Sequence, residues 1–140
     1  MNGLLLTLMI AFASLHTYAA EAELTFRCKF SEGQSTTFDD GSPSSKRSEF
    51  PDLIFDKINV EKGTARIIGN NGAVDIVAMR GSESVHLVEQ TPTGNLSIST
   101  IFTNEKFKKI NSYPIVISRH MSIAVSPHIS QHRGLCKFLN

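Results

Sequence analysis

Tryptophan is absent from this chain of 140 residues, and tyrosine occurs only twice. The formal net charge is only +1, from 14 basic and 13 acidic side chains. Proteins that bind nucleic acids typically carry a strong basic excess, together with aromatic or arginine side chains that meet the bases. The composition therefore predicts no nucleic-acid partner.

Motifs for catalysis and for metal binding are also missing. The chain has no Gly-x-Ser-x-Gly elbow for a nucleophilic serine, no Asp-x-Asp-x-Asp-Gly calcium loop and no Cys-x-x-Cys pair for zinc. It also lacks a glycine-rich loop of the kind that binds phosphate. We therefore assign no catalytic residue, no metal site and no cofactor from the sequence.

The uncharged apolar segment Leu4–Leu15 is too short to cross a bilayer, which takes about 20 apolar residues. Its length is typical of a signal-peptide core, and small residues suited to a peptidase follow it. We predict a signal peptide over residues 1–20, a single mature domain over 21–140, export to the periplasm or outside the cell, and no membrane span after cleavage. Because residues 1–3 include no Lys or Arg, a retained N-terminal anchor is the alternative.

The only two cysteines, Cys28 and Cys136, lie near the two ends of the predicted mature domain. In an exported protein two such cysteines most simply form one disulfide. Strand alternation places Cys28 on one face with Phe26 and Phe30, and Cys136 on one face with Phe138, so both sulfurs are expected to face the core. Two free or metal-bound thiols are the alternative.

Short apolar runs rich in β-branched residues alternate with turn signals, and none shows a sustained helical period. The Asn71-Gly72 dipeptide between two of them is typical of a tight hairpin. With a strand around Cys28, the pattern predicts an all-β fold, an antiparallel meander of about eight strands in a closed or nearly closed small barrel, because closure removes exposed edges. The runs are Leu53–Val60, Thr64–Ile68, Ala73–Met79, Ser84–Gln90, Leu96–Thr103, Phe107–Asn111, Ile115–His120 and Gly134–Leu139.

Two segments depart from this pattern. Residues 31–50 are rich in Ser, Gly and Asp, and we interpret them as a long flexible loop. Residues 126–132 are the single candidate for a helical turn, with Ser126 as its cap and Pro127 at its first position.

The candidate functional surface consists of Arg119, His120, His128 and His132. On a helical turn His128 and His132 would lie on one face, as metal ligands do, but no Glu, Asp or Cys nearby completes a site. Arg119 offers paired donors to an anion, and the histidines offer proton transfer.

The opening Thr25-Phe26-Arg27-Cys28 and the closing Gly134-Leu135-Cys136, with the segments around Ser99–Ile101, Ser118–His120 and Ser130–Phe138, resemble small exported bacterial β proteins of unknown function. Those proteins pair an aromatic-x-Cys strand with a Gly-x-Cys strand. The resemblance implies a β domain closed by a disulfide, in the periplasm or outside the cell, and it implies no activity.

Two functions from different classes remain open. The first is a non-catalytic binding or interaction module whose partner is a protein, a glycan or a small molecule. The alternative is a secreted hydrolase that uses His120 with His128 or His132. Charge is uneven, since residues 101–140 carry six basic side chains and one acidic side chain. A basic C-terminal third is compatible with an acidic partner, but it also neutralises the acidic remainder of the chain.

Overall fold

The computed structural model describes residues 22–123 and 126–139. The predicted signal peptide, residues 1–20, lies outside them. Among the described residues, no helix has the length and hydropathy needed to cross a bilayer.

Most of the described chain is strand, with one short helix. The elements are β1 (Leu24–Thr37), β2 (Ser44–Arg47), β3 (Leu53–Asn59), β4 (Thr64–Gly69), β5 (Gly72–Arg80), β6 (Ser84–Gln90), β7 (Leu96–Phe102), α1 (Glu105–Lys109), β8 (Tyr113–Ile123) and β9 (Ser126–Leu139).

Eight of the strands form a closed antiparallel barrel. Strands β3 to β9 pair in chain order, the first half of β1 pairs with β3, and β1 pairs along its length with β9. Strand β2 adds an outer strand beside the second half of β1. The predicted all-β meander and its closure are confirmed.

The disulfide lies where the barrel closes. Cys28 and Cys136 are directly opposite each other in β1 and β9, with 3.9 Å between their Cα atoms, and they are bonded. Both side chains are fully buried. The predicted pairing is confirmed, and it joins the first strand of the barrel to the last.

A β-bulge in β1 determines which of its residues face inward. Phe30 lies opposite Gly134 and Glu32 opposite Arg133, so Ser31 is the extra residue. A Cβ atom at Gly134 would lie 2.8 Å from the Cα of Phe30, and the glycine therefore permits the close approach of the two strands. Before the bulge the even-numbered residues of β1 face the interior. Beyond it the odd-numbered residues do, and these include Gly33 and Ser35.

Apolar side chains fill the middle of the barrel and the end at which β1 begins. The cluster includes large side chains from at least five strands, so this part of the interior is a packed core rather than a channel. Its buried members are Phe26, Cys28, Leu53, Phe55, Ile58, Ala65, Ile76, Ala78, Val85, Leu87, Ile101, Tyr113, Ile115, Ile117 and Cys136.

Three local predictions of secondary structure are wrong. Residues 31–37 and 44–47, predicted as loop, are strand, because β9 and the β1–β2 hairpin supply backbone hydrogen-bond partners to a polar sequence. Residues 126–132, predicted as a helical turn, are strand, and Pro127 lies at the start of β9, where a missing N–H is tolerated. Phe107–Asn111, predicted as strand, contains most of helix α1, which Asn104 caps. The flexibility of residues 31–50 stays a prediction.

Candidate functional site at the polar end of the barrel

The inward-facing side chains change from apolar to polar along four neighbouring strands. On β6 the inward series reaches Glu89, on β7 Ser97 and on β8 Arg119, and on β9 polar residues precede the core. We call this end, where β1 finishes and β9 begins, the polar end. The inward series are Val85, Leu87, Glu89 on β6; Ile101, Ser99, Ser97 on β7; Ile115, Ile117, Arg119 on β8; and Cys136, Gly134, His132, Ser130 on β9.

Strand register places these polar side chains in one row around the wall. Glu89 lies opposite Ser97, and Ser97 lies opposite Arg119. Arg119 lies opposite Ser130, which in turn lies opposite Ser35. Residues directly opposite on one face of a sheet have adjacent side chains, so the row is a continuous polar surface inside the barrel.

Phe50, in the connection from β2 to β3, packs across this surface. Its ring centroid lies 4.6 Å from that of His132 and 4.9 Å from that of Phe30. The guanidinium carbon of Arg119 lies over the Phe50 ring, 5.5 Å from its centroid, in a cation–π contact. The connection is tied to β1 by the Ser48 N–H, which donates to the Gly33 carbonyl at 3.0 Å.

His132 is almost fully buried at this end, with 2% of its surface exposed. It lies opposite Ile117 on β8 and Gly33 on β1. Its Nδ1 has no hydrogen-bond partner among the described residues, and neither has the buried hydroxyl of Ser48. Burial lowers the pKa of His132 below its usual value, and the positive charge of Arg119 lowers it further.

Two cavities flank Phe50. The first, of about 240 Å³, is lined by His132, Ser48 and Phe30 among others, and we call it the His132 cavity. The second, of about 250 Å³, has Arg119, Ser97 and Glu89 on one side and the β4–β5 turn on the other; we call it the Arg119 cavity. Leu53, Ile67 and Ile117 also line the Arg119 cavity.

The structure brings together two of the four predicted surface residues. Arg119 and His132 both face inward and both contact Phe50. His128 is on the same face of β9 as His132, four residues away, which is about 13 Å along a strand. His120 alternates with the inward-facing Arg119 and lies on the outer, exposed face. The pairing of His120 with His128 or His132 that a hydrolase would need is therefore not assembled.

His86 and the Asp56–Arg66 pair, outside the polar end, are engaged in contacts within the sheet. His86 is hydrogen-bonded to Thr100 at 3.0 Å and lies 3.2 Å from the hydroxyl of Ser84. Asp56 and Arg66 form a two-point ion pair across β3 and β4, and the hydrogen bonds from Arg66 lower the pKa of Asp56. Within residues 22–123 and 126–139 there is no group of three or more His, Cys, Asp or Glu side chains arranged to hold a metal ion.

A larger cavity, of about 460 Å³, lies at the opposite end of the barrel. Phe26, Tyr113 and Phe138 are among its mainly apolar lining. Asn111 also lines it, and its side-chain amide donates to the Phe138 carbonyl at 3.3 Å and accepts from the Phe138 N–H at 2.8 Å. The Asn111 side chain is therefore already engaged in a structural contact.

Sequence reasoning missed Phe50, Ser97 and Glu89. Strand alternation does indicate that Ser97 and Glu89 face inward. Glu89 follows Val85 and Leu87 at a spacing of two residues, and Ser97 lies four residues before Ile101. Phe50 had no such signal, because it follows a polar segment and reaches its contacts only through the fold.

Comparisons with family models, with curated proteins and with solved structures give no match to this chain.

Proposed function

We propose that this protein is an exported, non-catalytic binding module that takes a small ligand at the polar end of its barrel. The observation that carries the proposal is the polar inner row of Glu89, Ser97, Arg119, Ser130 and Ser35. A barrel selected for stability alone would continue its apolar interior to this end, because the burial of apolar surface is what stabilises a fold.

The buried imidazole supports the same proposal. An unpaired buried polar group costs about 1–3 kcal/mol. His132 Nδ1 and the Ser48 hydroxyl both lack partners among the described residues and border one cavity. A ligand or a bound water that supplies those hydrogen bonds would give the two groups a function.

Export and a signal peptide over residues 1–20 are part of the proposal. The apolar segment Leu4–Leu15 supports them, and so does a disulfide, which persists in oxidising compartments. The resemblance to exported bacterial β proteins agrees with a location in the periplasm or outside the cell. Intact mass of the exported protein tests this part, and a product that retains Met1 in the membrane fraction would contradict it.

Binding is tested by the thermal stability of the exported protein in the presence of four compounds of different classes. The compounds are glucose, L-leucine, adenosine monophosphate and decanoate. A ligand at about 100 times its dissociation constant stabilises the native state by about 2.7 kcal/mol, so at least one compound should raise the melting temperature.

The location of binding is tested with two matched variants. Ser97→Leu fills the Arg119 cavity and should abolish the ligand-dependent rise. Thr103→Leu makes a similar change in the lining of the opposite cavity and should preserve it. A rise that survives Ser97→Leu and is lost in Thr103→Leu would place binding at the other end, and no rise with any compound would count against the proposal.

A further inference from the structure

Two opposite charges face the Arg119 cavity without pairing with each other. Glu89 and Arg119 both line it, and neither forms an ion pair with any described residue. Ser97 separates them in the inner row, so they are two strand spacings apart, about 10 Å between backbones. Both side chains are half-buried, which makes an unpaired charge costly there.

The guanidinium of Arg119 lies over Phe50 and keeps its N–H donors available for a ligand. Its cation–π contact with the ring uses none of these donors, and the Arg119 side chain forms no hydrogen bond with another described residue. Those donors match a carboxylate in two-point geometry. Across the same cavity, the carboxylate of Glu89 can only accept hydrogen bonds when ionised, which suits an ammonium group.

The rest of the cavity wall combines an apolar patch with the polar β4–β5 turn. Leu53, Ile67 and Ile117 form the patch together with Phe50, and the turn contributes Asn70 and Asn71. A volume of about 250 Å³ is of the size of a single small metabolite rather than a polymer. A ligand that fits this wall carries an anionic group and a cationic group on one side and a compact apolar group on the other.

We infer that the Arg119 cavity binds a free α-amino acid with an apolar side chain, its carboxylate on Arg119 and its ammonium on Glu89. This inference rests on the proposed binding function and names its ligand class. A simple anion would be repelled by Glu89, a simple cation would be repelled by Arg119, and a neutral sugar would offer no opposite charge to either half-buried group.

The test is calorimetric titration of the exported protein with three related compounds. L-Leucine carries both charges, N-acetyl-L-leucine lacks the ammonium and L-leucinamide lacks the carboxylate. Because a hydrogen bond to a charged group contributes about 1.5–3 kcal/mol, each analogue should bind roughly 10-fold to 100-fold more weakly than leucine.

Protein variants assign each charge to its residue. Glu89→Gln should weaken leucine binding and bind N-acetyl-L-leucine as well as it binds leucine. Arg119→Gln should likewise lose the preference for leucine over L-leucinamide. Glu83→Gln and Arg27→Gln, on the exposed surface, should keep the wild-type preferences. A melting curve of each unliganded variant establishes that it is folded.

The outcomes separate this inference from the proposed function. If glucose, adenosine monophosphate or decanoate binds at the polar end and leucine does not, the ligand class is wrong and the binding function stands. Equal binding of leucine and N-acetyl-L-leucine to the wild type contradicts the role of Glu89 and overturns the inference. If none of the compounds binds, both are refuted.

Discussion

Replacing Gly33 with alanine is expected to destabilise the barrel, because His132 occupies the space that the new methyl group needs. Gly33 lies directly opposite His132 inside the barrel. A Cβ atom there would lie 2.6 Å from Cε1 of the imidazole and 2.6 Å from the Ser48 carbonyl oxygen, and closer still to Nδ1. The backbone of Gly33 is not in the left-handed region, so the effect is purely steric.

The expected loss of stability depends on whether the atoms around the new methyl group can shift. The imidazole is held between Phe50 and the β1 backbone, and the Ser48 carbonyl belongs to the main chain. Forcing an extra methyl into such a site typically costs about 1–3 kcal/mol. Gly69→Ala is the matched control, since its nearest neighbour is the end of the Leu53 side chain at 3.3 Å, which can shift.

Urea unfolding of Gly33→Ala, His132→Ala and the double variant measures the coupling between the two positions. Truncating His132 removes part of the clash, so the double variant should be more stable than the sum of the two single effects predicts, with a coupling of about 0.5–3 kcal/mol. If Gly33→Ala is as stable as Gly69→Ala, the imidazole does not lie against Gly33 and the packing described for the polar end is wrong.

Three further predictions concern stability. The pKa of His132 is lowered in the folded state, so on acidification the unfolded chain takes up this proton first, at a pKa of about 6.5, and the free energy of unfolding should fall as the pH drops below that value. His132→Gln should reduce the slope of the unfolding free energy against pH, and His120→Gln should retain it. Equal slopes in the wild type and His132→Gln would refute this prediction. Reduction of Cys28–Cys136, which are 108 residues apart, should destabilise the protein by about 4–5 kcal/mol in urea unfolding, and an unchanged midpoint would contradict this. Trypsin should cut first at Lys46 or Arg47 in the exposed outer strand β2, and an earlier cut elsewhere would show that residues 31–50 are not the least stable segment.

The sequence predicts those parts of the fold that depend on local pattern. Ser84–Gln90 is strand at the predicted bounds, because its apolar residues alternate and turn residues flank it. The pairing of Cys28 with Cys136 follows from there being only two cysteines. The tight turn before Gly72 also forms as predicted.

The parts that sequence reasoning could not reach depend on partners far away in the chain. The second half of β1 is polar and has no periodic signal; it is a strand because β9, about a hundred residues later, pairs with it. Arg119 was identified as a candidate, but its proximity to Glu89 depends on the register of two successive strand pairs. The position of Phe50 over Arg119 and His132 depends on the path of a connection that carries no pattern.

The most direct test of ligand binding at the polar end is a map of backbone amide shifts during titration of the exported protein with L-leucine. We predict that the largest shifts occur at Ser97, Arg119 and Ser130, with little change near Tyr113 and Phe138. Shifts concentrated around Tyr113 and Phe138 would assign binding to the apolar cavity at the opposite end and contradict the account.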